Sequence, residues 1–104
     1  MPDRFRILMS KRVSTDLETI FNFIAKDSLQ NASDFVRRIL ESIGSLDTFP
    51  LRNLVPGQPP GLKRPIRSLP VKPYLIFYYV DEDHRTVRVL RVRHGARRKL
   101  RRYR

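Results

Sequence analysis

PYLIFYYVDEDHRTVRVLRVR, residues 73–93, decides the architecture of this chain. Two runs rich in β-branched and aromatic residues, PYLIFYYV (73–80) and TVRVLRVR (86–93), flank the polar stretch DEDHR. That composition suits a pleated, half-buried surface, and a loop of about five residues between two such runs reads as a β-hairpin. Because successive strand residues point to opposite faces, Ile76, Tyr78 and Val80 share one face and Leu75, Phe77 and Tyr79 the other, and at least one set has to be covered. In the second run Val87, Val89, Arg91 and Arg93 oppose Arg88, Leu90 and Val92. The alternation breaks at Val89–Leu90, as it does in a central strand covered on both faces or in one with a bulge.

Upstream the period changes. In VSTDLETIFNFIAKD (13–27), Leu17, Ile20, Phe21 and Ile24 fall at i, i+3, i+4 and i+7, and Thr15 with Glu18 forms a candidate capping box. Residues 28–46 repeat the pattern more strongly through Ala32, Phe35, Val36, Ile39, Leu40, Ile43 and Leu46, with Ser28 or Asn31 available as N-cap and Gly44 near the end. Only a few residues separate the two helices, so they form an antiparallel hairpin whose stripes must bury against each other and against something flat. Residues 4–10 alternate Phe5, Ile7 and Met9 with Arg4, Arg6 and Leu8, the period of a half-buried strand. FPLRNLVPGQPP (49–60) holds four of the eight prolines and reads as irregular loop, and RPIRSLP (64–70) as a short edge strand between Pro65 and Pro70. The order is β-α-α-β-β-β, an α+β fold with the helical hairpin packed on a mostly antiparallel sheet. At 104 residues the expectation is one domain, 1–104, ending in a basic tail, 97–104.

Charge is the strongest global signal. The formal net charge is +12, and residues 84–104 carry ten cations and no carboxylate, against eight basic and seven acidic groups in residues 1–62. Such a concentration repels itself and gains from an acidic partner, either phosphates or a carboxylate-rich protein segment. With no cysteine, disulfides and thiolate metal sites are excluded, and a cytoplasmic location fits. The longest apolar run, Tyr74 to Val80, is far too short to span a bilayer, so no membrane association is expected. His84 and His94 lack the companions a metal site needs, and there is no nucleophile elbow, glycine-rich phosphate loop or closely spaced carboxylate pair. No metal and no cofactor are expected. The closing stretch RVRHGARRKLRRYR (91–104) reads three ways: a solvated tail, a binding surface presented through Gly95, or catalytic apparatus in which cations stabilise a phosphorane-like transition state while His94 or Tyr103 moves a proton.

Leu90-Arg91-Val92-Arg93-His94-Gly95-Ala96-Arg97 after the last strand resembles the RelE/ParE superfamily of bacterial toxins from type II toxin–antitoxin modules. Ile20 to Ala25 followed by Asp27-Ser28, Phe49-Pro50, and Val71-Lys72-Pro73-Tyr74 with Tyr78 and Asp81 carry the resemblance along residues 5–98. It implies a cognate acidic antitoxin lying along the helical hairpin and sheet, with Leu17, Phe21, Tyr74 and Tyr78 as contacts. ParE-like members, the plasmid-stabilisation branch, poison DNA gyrase and block replication. RelE-like members cut mRNA in the ribosomal A site and usually carry arginine after the tyrosine matching Tyr74, where this chain has Leu75. The HGAR terminus looks more like the ParE branch, although the acidic residue that follows there is Arg98 here. On the ParE-like reading Arg91, Arg93, His94, Arg97, Arg98, Lys99, Arg101 and Arg102 meet the target. On the nuclease alternative, with the ribosome and mRNA as partners, Arg67, His94, Arg97 and Tyr103 carry catalysis. An interaction protein that has lost toxicity is the third reading.

Overall fold

The computed structural model describes residues 4–97. Its elements run β1 (Arg6–Met9), α1 (Lys11–Ala25), α2 (Leu29–Gly44), β2 (Arg67–Val71), β3 (Tyr74–Asp81) and β4 (Thr86–His94), with 3₁₀ turns at Ser45–Asp47 and Gly95–Arg97. The hairpin strands β3 and β4 are central: β2 pairs antiparallel with β3, β1 pairs parallel with β4, and the sheet order is β1-β4-β3-β2. The order of elements and the mostly antiparallel sheet are those expected from the sequence.

α1 starts earlier than expected. Thr15 and Glu18 lie inside it, not at a capping box, because the buried stripe begins at Val13 and continues through Leu17, Ile20 and Ile24. Ser10 occupies the N-cap, and its hydroxyl donates to the Leu90 carbonyl (2.8 Å), fixing the helix start to β4. α2 is capped by Ser28, whose Oγ accepts the Asn31 N–H (3.1 Å), satisfying one of the unpaired donors of the first turn.

The hairpin lays Val13, Ile20, Ile39, Ile43 and the following Leu46 over Ile76, Tyr78, Val80, Val87, Val89 and Val92. Each such side chain contributes about 1.5–3 kcal/mol when fully buried. Val92 continues the row of Val87 and Val89 because Phe77 opposes Arg91 while Tyr78 opposes Val89, leaving Leu90 as the extra residue of a bulge. The grouping of Val87 and Val89 with Arg91 and Arg93, expected from strict alternation, is therefore corrected: parity changes at Leu90.

The segment between α2 and β2 is irregular and firmly held. The Tyr78 hydroxyl donates to the Pro50 carbonyl (2.8 Å), Ser68 N–H to Asn53 O (3.0 Å) and Val55 N–H to Ile66 O (3.0 Å). The Gln58 amide donates to Val55 O and Ile66 O and accepts the Ile66 N–H. At the β3–β4 turn, Asp81 accepts from the His84 ring (2.9 Å) and backbone (3.3 Å) and pairs with Arg64 (3.3 Å). Desolvation pushes the Asp81 carboxyl upward, but the His84 hydrogen bonds and the Arg64 charge outweigh it and hold it below the usual aspartate range. A folded pKa below the unfolded one stabilises above the unfolded value, about 3.9, and the contribution is lost as pH falls through the folded value. Asp81→Asn is accordingly expected to flatten the fall in melting temperature below about pH 4, measured by thermal unfolding across a pH series.

Candidate functional site

β1 ends at Met9 while β4 runs on to His94, so among the described residues no strand lies beside the last part of β4 on that edge. α1 covers that edge. The Asp16 carboxylate accepts the Val92 N–H (2.8 Å) and both Nε and Nη2 of Arg91 (2.9 Å each). Asp16 and Arg91 are only 11% and 27% exposed, and the hydrogen bonds that Arg91 donates to Asp16 raise the Arg91 pKa against the opposing effect of burial. Arg91, expected among the target contacts, has its guanidinium paired with Asp16 while part of its side chain lines the open groove beside Arg93.

Beyond Arg91 the rim opens. Tyr74 stands opposite His94 at the last rung of the hairpin, with their rings edge-on at 5.3 Å and Phe35 tilted against Tyr74 at 5.7 Å. Phe23 of α1, 66% exposed, stands beside them. Two grooves meet on this aromatic ridge. An apolar one of about 440 Å³ runs over Ile24, Phe35 and Arg38, and a more polar one of about 740 Å³ runs over Thr15, Thr19, Arg93 and Ala96; Phe23, Tyr74 and His94 line both. The Arg38 guanidinium lies over the Phe35 ring at 5.4 Å, so the apolar groove has a cationic lip.

Gly95 makes the exit from β4 possible. Its N–H donates to the Pro73 carbonyl (2.7 Å), and a Cβ at this position would lie 3.1 Å from that oxygen, so a side chain would push the two apart. The Ala96 N–H donates to His94 Nδ1 (3.0 Å), which selects the ring tautomer with its hydrogen on Nε2. Arg97 closes the 3₁₀ turn. Arg98, Lys99, Arg101, Arg102 and Tyr103 lie outside the described residues.

The remaining expected residues are distributed unevenly. Leu17 and Phe21 are half-buried on α1 and Tyr74 is half-buried on the ridge. Tyr78, expected among the antitoxin contacts, has no exposed surface: its ring fills the core under the hairpin and its hydroxyl pins the loop at Pro50. It offers a partner nothing, and that assignment is corrected. Arg67 stands opposite Tyr78, four residues along β3 from the Tyr74–His94 rung, which is about 13 Å of strand. Arg67 and His94 therefore do not converge. Phe23 and Asp16 were missed. The signal for Phe23 was an aromatic residue off the helix's buried stripe; for Asp16 there was none, since its partners are 75 and 76 residues away. Among the described residues no three His, Cys, Asp or Glu side chains gather as a metal site would require, and no helix is long and apolar enough to cross a membrane.

A family model described as the ParE toxin of the type II toxin–antitoxin system parDE matches residues 7–99. The chain belongs to the ParE toxin family. The ParE-family fold is shared with a chain of the chromosomal ParDE system from P. aeruginosa (TM-score 0.68, 17% identity, covering 88% of this chain and 97% of that one). It is shared equally with chains of the RelBE2 toxin–antitoxin complex from Mycobacterium tuberculosis (0.61, 23%, 88% and 98%) and of the archaeal RelE–RelB complex from Pyrococcus horikoshii (0.66, 16%, 90% and 98%). No curated protein matches the sequence. As a ParE-family member the protein is the toxin of a type II toxin–antitoxin module. The HGAR stretch that suggested this is the segment that Gly95 ties to Pro73, and the aromatic ridge is built on both sides of that tie.

Proposed function

We propose that this toxin inhibits DNA gyrase in the cytoplasm and blocks replication, presenting Arg93, His94 and the basic C-terminal segment to the target. The observation that carries the reading is the match to a ParE toxin model over residues 7–99. Leu75 in place of an arginine, and the separation of Arg67 from His94 along the sheet, support it, because cleavage of a phosphodiester needs the acid, the base and the charge-stabilising cation around one phosphate. An acidic antitoxin completes the module. Its apolar side chains occupy the grooves at Phe23 and Tyr74 while its carboxylates neutralise the cationic rim, forming a toxin–antitoxin hetero-oligomer. The similar chain from M. tuberculosis belongs to a toxin–antitoxin complex, RelBE2, and that from P. horikoshii to a RelE–RelB complex.

The ribosome-dependent nuclease is the second reading, favoured by one observation: His94 and Arg93 line the same open groove. A supercoiling assay run beside a translation-coupled mRNA cleavage assay separates the two. Gyrase inhibition predicts arrested supercoiling, trapped cleaved DNA and intact mRNA, and removal of residues 97–104 abolishes the effect without unfolding the protein. Codon-specific cutting of mRNA with supercoiling untouched would reverse the assignment.

A further inference from the structure

We propose that Arg52 and Arg67, flanking the Tyr78 hydroxyl at the far end of the sheet from His94, form a binding site for a phosphate-type oxyanion. Arg67 is the direct cross-strand partner of Tyr78, and the Arg52 carbonyl lies 3.3 Å from the Tyr78 hydroxyl. The ring is completely buried, so the loop and the edge strand bring two half-buried cations to one fixed point. Burial raises the Tyr78 pKa, and the charges of Arg52 and Arg67 together with a hydrogen bond from the Arg52 side chain pull it back, which places both guanidiniums within electrostatic reach of the phenol.

Among the described residues neither arginine has a carboxylate partner. The ion pairs among the described residues engage Arg4, Arg37, Lys63, Arg64, His84 and Arg91, and residues 48–80 contain five cations and no acid. Arg52 Nε is buried and has no acceptor, and a buried donor without a partner marks the place where an oxygen belongs. The Tyr78 oxygen is within hydrogen-bonding reach of the Arg52 side chain, yet Arg52 Nε still has no partner, so the acceptor that Nε lacks is external to this cluster. A single carboxylate neutralises one of the two guanidiniums. A phosphate matches both, with enough oxygens to accept from two planar forks. The loop above the site turns Phe49, Leu51 and Leu54 outward, and a bound oxyanion would brace the backbone that displays them.

The site stands apart from the target reading, and inorganic phosphate is the probe. Full-chain toxin is titrated with phosphate at constant ionic strength and followed by amide chemical shifts, since a chain of net charge +12 also attracts anions loosely elsewhere. Saturable shifts at Arg52, Arg67 and Ser68 are expected, with affinity reduced about tenfold or more in Arg52→Gln and in Arg67→Gln and unchanged in Arg37→Gln, because each guanidinium supplies charge-assisted hydrogen bonds. Arg52→Lys and Arg67→Lys keep the charge and lose the fork, and a loss of affinity in these folded variants is expected as well. Adenosine 5′-monophosphate in a parallel titration separates free phosphate from a nucleotide's: tighter binding points to the nucleotide, equal or weaker binding to the ion. Shifts that never saturate, or that survive unchanged in the Gln and Lys variants, overturn the proposal.

Discussion

Replacing Asp16 by alanine is expected to lower the melting temperature by about 10–20 °C, one of the two largest effects predicted for this chain. The carboxylate accepts three hydrogen bonds at 2.8–2.9 Å, two from Arg91 and one from the Val92 backbone. Its removal leaves a mostly covered guanidinium and a strand N–H unpaired at the same place, at a cost of about 2–3 kcal/mol. Two conditions make this pair worth more than an exposed one. Little water can replace the lost partner at 11% and 27% exposure, and the backbone donor cannot rotate away. Asp16→Asn keeps an acceptor for Val92 and loses the charge, so its cost is smaller, and Arg91→Ala leaves Val92 satisfied. Thermal unfolding of the three variants checks the order, and a melting temperature for Asp16→Ala within about 2 °C of the parent would sink the account. A loss of toxicity in Arg91→Ala reports unfolding of the rim where the melting temperature falls with it, and a missing target contact where the melting temperature holds.

That prediction was out of reach from the sequence, for a definable reason. The hairpin, the two helices and their order were legible because each rests on local periodicity: alternating residues in 73–80 and 86–93, and a 3.6-residue period in 13–25 and 28–46. Face assignments in β4 were legible only as far as Val89. One extra residue in a strand reverses the facing of everything after it, and the broken alternation at Val89–Leu90 fitted a bulge and a doubly covered strand equally well. Tyr74 and Tyr78 illustrate a second limit. They lie on the same face of β3, four residues apart, and nothing local tells them apart; what separates them is the loop from Pro50, which passes over Tyr78 and leaves Tyr74 at the rim. The parallel pairing of β1 with β4 belongs to the same class, since periodicity names strands but not neighbours. Long-range contacts decide these points, and in this chain they decide which cations are free to meet a partner.

Phe23→Asp is the second large effect, and it separates the two surfaces that this toxin needs. A phenylalanine 66% exposed contributes little to the core, so the substitution is expected to leave the melting temperature within about 2 °C of the parent. The same side chain lines both grooves beside Tyr74 and His94, where burial of an aromatic anchor by a partner concentrates binding energy. A carboxylate at its place removes the apolar contact and sets a negative charge against an acidic partner, two penalties that act in the same direction and together weaken antitoxin binding by about thirtyfold or more. Calorimetric titration with the cognate antitoxin measures this, and an affinity within about threefold of the parent would show that the ridge is not the antitoxin's anchor. Growth gives an independent reading. If the antitoxin grips Phe23 while the target meets the basic end of the chain, cells expressing Phe23→Asp stay arrested when the antitoxin is co-expressed at a level that rescues the parent toxin. If target and antitoxin share the ridge, the variant loses toxicity together with its affinity for the antitoxin, and neutralisation then works by direct competition for Phe23 and not by masking of the cationic rim.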